Sequence, residues 1–535
     1  MRRGAGWTAR TLATAAALAL GVGMVVAPAA SATPPGGGTG GAPPPVGCAE
    51  LSTARLGLPD TTVTSAVADP GDATTPASCR VTLTVTHPPA GDAVTVWVHL
   101  PTDTWNGRFQ AVGGGGFRGG SPDSLLTPLR DGYATAATDA GHPGATADFA
   151  LNPDRTLNWA AIEDFGYRGV RDMTVTAKAV IAAFYGTGPQ YSYWNGCSTG
   201  GRQGLMEAQR YPDDYDGVLA GAPVINYSRL QIAQMWGQVV MLEEANPVAP
   251  CKFDAALRAT IAACDTVGDG VIDGVIGDPL GCSFDLGTLV GTATPCGDIT
   301  AADVEVMRRI AQGPRTQDGQ FLWYGQAPGT PYAGLNDTEV VDGQLVGKPF
   351  QYDLWWIGLF LAQDPGWDWR TLTYAGYEAF FQQSIEMYSA VFSADDPDLS
   401  AFADSGGKAL LWHGAADFGV PFQGTVDYVE RVQDTMGPGR TDQFLRLFLA
   451  PGVGHCGGGA GPQPVGQFEA LVDWVERGHA PRTLDAEAVD ASGAVVQTRP
   501  LCAYPEVARL VGHGDPADAG SYRCVRGTEL EPATR

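Results

Sequence analysis

Residues 193–202 read Tyr-Trp-Asn-Gly-Cys-Ser-Thr-Gly-Gly-Arg, and within them Gly196-x-Ser198-x-Gly200 sets one serine between two glycines. This is the nucleophile-elbow pattern, in which a strand ends in a sharp turn and a helix begins at once. The flanks supply that context: residues 179–185 read as a helix, 190–194 as a strand and 203–210 as a second helix. Small residues must flank a serine in so tight a turn. Its hydroxyl then projects at a helix N-terminus, where free N–H groups can stabilise an anion. A Gly-rich strand-to-helix turn can also be only a turn. Cys197 beside the serine is what sharpens the motif, because a matching His455-Cys456 pair lies far downstream.

The rest of the chain is read around that turn. Residues 81–86, 93–100, 109–112 and 132–138 read as strands, and 164–185 carries apolar residues at helical spacing (Val170, Met173, Val175, Ala177, Val180, Ile181, Phe184). Residues 216–222 form the next short apolar strand. After Pro223 the rhythm breaks into Trp-rich helical pieces, Gly and Pro loops and four cysteines. It returns as a strand at 408–412, a helix at 425–432, a strand at 444–449 and a helix at 467–476. Strands alternating with helices predict a parallel sheet covered on both faces. The expected architecture is an α/β-hydrolase fold in two parts, 48–223 and 404–535, interrupted by a lid over 224–403.

Export is expected from the N-terminus. Arg2, Arg3 and Arg10 precede an apolar run over 11–27, and Ala30-Ser31-Ala32 is a small-residue cleavage site, so residues 1–32 read as a signal peptide. The Pro/Gly-rich stretch 33–47 reads as a linker. Ten cysteines, an even number, suit disulfides in an exported chain, and no C-x-x-C occurs. A formal net charge of −25 argues against nucleic acid or an anionic membrane as partner.

An elbow serine needs an acid and a base after it in the chain, in that order. The strand 408–412 runs into His413-Gly414-Ala415-Ala416-Asp417, and the strand 444–449 into Gly454-His455-Cys456. Asp417 and His455 are therefore the candidates, although a loop aspartate is often only a turn or cap residue. If Cys197 and Cys456 are bonded, their Cα atoms lie about 5.5–6 Å apart. Their neighbours Ser198 and His455 are then within reach of each other. Closing so large a loop contributes at most roughly 5–6 kcal/mol on chain-entropy grounds. The Thr199 N–H and an N–H of the run Gly113-Gly114-Gly115-Gly116, with Gly114 and Gly115 foremost, are the expected oxyanion donors. That run lacks the Lys-Ser/Thr of a phosphate loop.

A second constellation lies in the lid. Between Cys264 and Cys282, Asp265, Asp269 and Asp273 alternate with glycines. Such oxygen ligands suit calcium, without the spacing of an EF-hand. A pair of Asp-Gly turns around a hairpin is the other reading.

Together, Gly-Cys-Ser-Thr-Gly-Gly, the His-Gly-x-x-Asp loop and Gly-His-Cys resemble the tannase and feruloyl esterase family, and Gly113-Gly114-Gly115-Gly116-Phe117 and Ala-Thr-Asp-Ala-Gly-His at Ala137 extend the resemblance. It implies Ser198, Asp417 and His455 as a catalytic triad and Cys197–Cys456 as the bridge beside it. It also implies Cys48–Cys79, Cys264–Cys282 and Cys502–Cys524, leaving Cys251 with Cys296. Structural calcium in the lid is implied on Asp265, Asp269, Asp273 and the carbonyls of Val271 and Val275. One departure bears on Asp265: three residues, Thr266, Val267 and Gly268, separate it from Asp269, where the family has two. The implied substrates are esters of aromatic acids: gallates, hydroxycinnamates on plant-wall polysaccharide, or mono(2-hydroxyethyl) terephthalate. Trp236, Trp323, Trp355, Trp356, Trp367, Trp369 and Phe402 are candidate walls for the aromatic acid. A peptidase on the same fold and a non-catalytic carbohydrate- or aromatic-binding protein are the rival readings.

Overall fold

The computed structural model describes residues 46–530, so the expected signal peptide and most of the linker lie outside the described residues. Nine strands make the main sheet: β1 Thr61–Asp69, β2 Ser78–Val85, β3 Val94–Pro101, β4 Arg108–Val112, β5 Ala134–Thr138, β6 Tyr191–Cys197, β7 Gly217–Gly221, then β10 Lys408–Gly414 and β11 Leu445–Ala450. Their order is β1-β2-β3-β5-β4-β6-β7-β10-β11. The first three strands and β5 pair antiparallel, and from β5 onward all pairs are parallel. Parallel strands are apolar on both faces because helices cover both; β5 is buried at every position. The helix Gly169–Tyr185 buries Val170, Met173, Ala177, Val180, Ile181 and Phe184, the spacing expected of one apolar stripe, whereas Val175 falls off that stripe and is exposed.

The segment between β7 and β10 adds no strand to this sheet. Its hairpin, β8 Thr338–Val341 and β9 Gln344–Gly347, stands apart, and its helices have their own core. Trp356, Phe381, Tyr388 and Phe392 are fully buried there, each such side chain contributing on the order of 1.5–3 kcal/mol. Phe117, from a loop of the sheet unit, and Phe165, from the helical turn Asp164–Arg168, join that core and so weld the two layers together. The C-terminal region adds β12 Gln463–Val465, β13 Thr483–Val489 and β14 Val495–Cys502 as one small sheet and β15 Glu506–Leu510 with β16 Tyr522–Arg526 as another. Among the described residues no helix is long and apolar enough to cross a membrane.

Candidate active site

Ser198 ends β6 and opens the helix Thr199–Arg210 at φ 62°, ψ −123°. A non-glycine residue at positive φ is strained and persists only where neighbours fix it. Here the Ser198 N–H donates to the Gly221 carbonyl at 2.9 Å, and the Ser198 carbonyl accepts from the Val224 N–H at 3.3 Å. The flanking glycines are steric requirements. A Cβ on Gly196 would stand 2.5 Å from the Gly200 carbonyl, and one on Gly200 would stand 2.9 Å from the Gly114 oxygen.

Asp417 and His455 follow the adjacent parallel strands β10 and β11, whose register sets Gly414 beside Ala450. Their loops therefore leave the same edge of the sheet. His455 Nε2 lies 2.9 Å from Ser198 Oγ, and its Nδ1 lies 2.6 Å from Asp417 Oδ2. A carboxylate only accepts, so Nδ1 carries the ring proton and Nε2 is left to accept from the serine hydroxyl. Asp417 is buried, and its Oδ1 accepts the N–H groups of Gly419 and Val420, both at 2.8 Å. Burial pushes its carboxyl up, but the His455 charge and hydrogen bonds from His413 and His455 outweigh burial and hold it far below the usual carboxylate range. Burial pushes the His455 ring down, and the charge and hydrogen bond of Asp417 more than reverse this, leaving it above the ordinary histidine value.

Cys197 and Cys456 are bonded, with Cα atoms 5.9 Å apart across a sequence separation of 259. Cys456, like Ser198, sits at positive φ, 60°. The link joins the neighbour of the strained Ser198 to the strained Cys456, which itself follows His455. The remaining bridges are Cys48–Cys79, Cys251–Cys296, Cys264–Cys282 and Cys502–Cys524.

The oxyanion expectation needs correction. The Gly114 N–H donates to Gln203 Oε1 at 3.0 Å, and the Gly115 N–H to the Arg118 carbonyl at 3.2 Å, so both are already engaged. Gly113 donates to the Asn195 carbonyl. Within the run, the Gly116 N–H alone makes no hydrogen bond to the described residues, and the Thr199 N–H makes none either. Thr199 Oγ1 donates to the Gly116 carbonyl at 2.7 Å, which fixes the elbow against this loop.

The sequence reasoning passed over His413, the last side chain of the His-Gly-x-x-Asp strand end. It is fully buried, and its Nε2 faces both Asp417 Oδ2 at 3.2 Å and the Val420 carbonyl at 3.0 Å. Two acceptors around one nitrogen make it Nε2–H, while Nδ1 accepts from Thr425 Oγ1 at 2.9 Å. Of the candidate wall aromatics, Trp236, Trp323, Trp356 and Trp369 are buried in the lid core, and Phe402 belongs to the sheet core against Phe444. Trp355 and Trp367 are half-exposed.

The lid loop keeps its carboxylates near one another but ties them down. Asp269 Oδ1 accepts the Val271 N–H and Asp273 Oδ1 the Val275 N–H, while their Oδ2 atoms each lie 2.8 Å from the Arg499 guanidinium. Asp265 Oδ1 instead accepts the N–H groups of Asp273 and Gly274. The carbonyls of Val271 and Val275, both buried residues, accept no hydrogen bond from the described residues. Two carboxylates and two unpaired carbonyls are a hard-oxygen donor set that fits calcium. Among the described residues the only convergence of three His, Cys or carboxylate ligand atoms lies elsewhere, at His87, Asp164 and Asp172. There Arg168 pairs with Asp164 and Asp92, and His87 with Asp92 and Asp172, so the charges are met internally.

An α/β-hydrolase sheet that lines up a strained serine hydroxyl, an imidazole and a buried carboxylate defines a serine hydrolase. The tannase and feruloyl esterase family matches over residues 79–525, and the chain belongs to it. It is a carboxylic ester hydrolase. It is 44% identical over 462 residues to a probable feruloyl esterase of Arthroderma benhamiae, covering 84% of this chain and 86% of that protein. With the mono(2-hydroxyethyl) terephthalate hydrolase of Piscinibacter sakaiensis it shares 31% identity over 513 residues, 80% of this chain and 81% of that one. Among solved structures, the tannin acyl hydrolase of Aspergillus niger superposes with a TM-score of 0.80 at 27% identity, covering 90% of this chain and 96% of that one.

Proposed function

We propose that this enzyme cleaves esters of aromatic acids, hydroxycinnamoyl esters first among them, through an acyl group carried on Ser198. The observation that carries the reading is the relay from Ser198 Oγ to His455 Nε2 at 2.9 Å and from His455 Nδ1 to Asp417 Oδ2 at 2.6 Å. His455 takes the hydroxyl proton as Oγ attacks the ester carbonyl. The oxyanion that forms is met by the Thr199 N–H, with the unpaired Gly116 N–H as the second donor. Collapse of the intermediate expels the alcohol, which receives the proton back from His455, and a water molecule repeats the sequence to release the acid. Asp417 holds the ring tautomer and balances the imidazolium charge without taking the proton. The relative at 44% identity, named a probable feruloyl esterase, supports the hydroxycinnamoyl preference.

The test is a panel of methyl ferulate, methyl gallate and mono(2-hydroxyethyl) terephthalate, run on the enzyme and on Ser198→Ala. Methyl ferulate is expected to give the highest kcat/KM, and the substitution to lower kcat by about 10⁶, as removal of a triad nucleophile does. Turnover retained by Ser198→Ala overturns the mechanism; a higher kcat/KM on either other ester overturns the substrate preference.

Two further readings accompany it. The enzyme acts outside the cell, a reading supported by five disulfides with no free cysteine among the described residues and by the signal-like residues 1–32. The lid loop takes a structural calcium ion through Asp269, Asp273 and the Val271 and Val275 carbonyls, with Arg499 bonded to the Oδ2 atoms of both carboxylates and Asp265 Oδ1 engaged by two backbone N–H groups. A bound ion there would hold the loop closed and takes no part in the ester chemistry.

A further inference from the structure

We propose that the lid carries a second binding site, a recess that takes the neutral sugar chain on which the aromatic ester is borne. The recess has a volume of about 400 Å³. Its aromatic walls are the half-exposed Trp355 and Trp367 with an edge of the buried Trp369, and Gln351, Asp364, Asp368 and Arg370 bring polar groups to it.

The indoles are the first argument. Large aromatics are usually buried, and Trp236, Trp323, Trp356 and Trp369 of the same lid follow that rule. Trp355 and Trp367 do not, and both face this one recess. Neither ring is loose. Trp355 packs edge-on against Tyr352 and Phe117, with centroids 5.5 and 6.2 Å apart, and Trp367 stands at 90° to Phe380 at 6.0 Å. Rigid indoles offer flat apolar surface at little entropic cost, which suits the C–H faces of pyranose rings.

The polar groups are the second. The Asp364 carboxylate is fixed by the Gly366 N–H and Arg155 through Oδ1, and that of Asp368 by the Arg370 N–H and guanidinium, also through Oδ1. In each the Oδ2 atom accepts no hydrogen bond from the described residues. The exposed Gln351 amide makes none either. The recess thus presents free acceptors together with donors, the set that hydroxyl groups require, since each hydroxyl both donates and accepts. Two carboxylates at its wall, in a chain of net charge −25, disfavour an anionic ligand.

Position is the third. Trp355 lies three residues after Tyr352 on the helix Gln351–Trp355. Tyr352 covers Gly116 so closely that a Cβ there would meet its phenol oxygen at 2.6 Å, and the Gly116 carbonyl is held by Thr199. Through Trp355, which packs on Tyr352 and Phe117, the recess is thus joined to the loop that Thr199 Oγ1 holds against the elbow.

The inference rests on the hydroxycinnamoyl reading for its substrate, and its test separates the two. Unesterified arabinoxylan in affinity electrophoresis is expected to retard the enzyme but not Trp367→Ala, whatever the enzyme hydrolyses. On a feruloylated arabinoxylo-oligosaccharide, Trp367→Ala is expected to lose about tenfold in kcat/KM through KM, the loss typical of one aromatic anchor, with methyl ferulate kcat/KM unchanged. The exposed pair Asp364→Asn and Asp368→Asn, which leaves the lid packing alone, is expected to weaken retardation in the same direction. An unretarded wild-type enzyme, or equal losses on the oligosaccharide and on methyl ferulate, overturns the site. An enzyme retarded by arabinoxylan yet inactive on methyl ferulate supports the recess and overturns only the acyl preference.

Discussion

His413 Nε2 donates to Asp417 Oδ2 at 3.2 Å, the same oxygen that His455 Nδ1 meets at 2.6 Å. A second, fully buried imidazole therefore sets the position of the acid from behind, and Thr425 Oγ1 fixes that imidazole in turn at 2.9 Å. His413 touches no reacting atom and acts through Asp417. His413→Gln is expected to lower kcat by about 10²-fold, the scale of a misplacement near 1 Å, with KM for methyl ferulate little changed. Because Asp417 raises the His455 value, a carboxylate displaced from the ring should also move the acid limb of the pH profile to lower pH. Unaltered kcat and an unaltered profile would assign His413 to packing alone.

The direction of the His455 shift fixes the sign of the pH dependence. A base must be neutral to accept a proton, and Asp417 holds the His455 pKa above the ordinary histidine value. Activity should thus fall as pH drops through a point above that value. Asp417→Asn removes the charge that raises the ring, so the limb should move to lower pH while kcat falls by about 10⁴, since the wrong tautomer is then favoured. A kcat/KM profile of the two proteins checks both; a limb that stays in place in Asp417→Asn would mean that another group sets it.

Why some of this was legible in the sequence and some was not follows from where each constraint lies. The elbow is local: Gly196, Ser198 and Gly200 crowd one another, so strand, turn and helix are written in consecutive residues. The acid and base loops are equally local to the ends of β10 and β11. The oxyanion glycines are not. Whether Gly114 offers its N–H depends on Gln203, 89 positions away, whose side chain takes it. Arg499 reaches Asp269 across 230 positions, and no spacing rule within the lid loop could have included it. Tryptophan identity likewise says nothing of which side faces a core: Trp356 is fully buried and its neighbour Trp355 is half-exposed on the same helical stretch.

The bridge beside the site makes activity sensitive to reduction. Cys197 and Cys456 flank Ser198 and His455, and both Ser198 and Cys456 hold strained positive φ angles. Replacing both cysteines by serine frees the His455 loop from the elbow while four bridges remain elsewhere. The double variant is expected to lose about 10²-fold or more in kcat through loosened geometry, and up to roughly 5–6 kcal/mol of stability on the chain-entropy estimate. Full kcat in a variant shown by mass spectrometry to lack the bridge would leave the sulfur link with a structural role only.

The proposed lid calcium would draw on the same carboxylates that Arg499 holds, and this makes it testable. Asp269 and Asp273 each give one oxygen to the guanidinium, so the loop is already partly neutralised by the chain itself. If an ion also sits on their inner faces with the Val271 and Val275 carbonyls, a chelator removes it and the lid loses that link. At an ion concentration a hundredfold above its dissociation constant, the link contributes about 2.7 kcal/mol. The melting temperature should then fall by several degrees in chelator and recover with calcium but not magnesium, which demands a tighter octahedral shell. Asp273→Asn should make the protein indifferent to the chelator, since it weakens both the ion site and the pairing with Arg499. A wild-type melting temperature that ignores chelator would mean that Arg499 alone balances the two acids, with the unpaired carbonyls left to water.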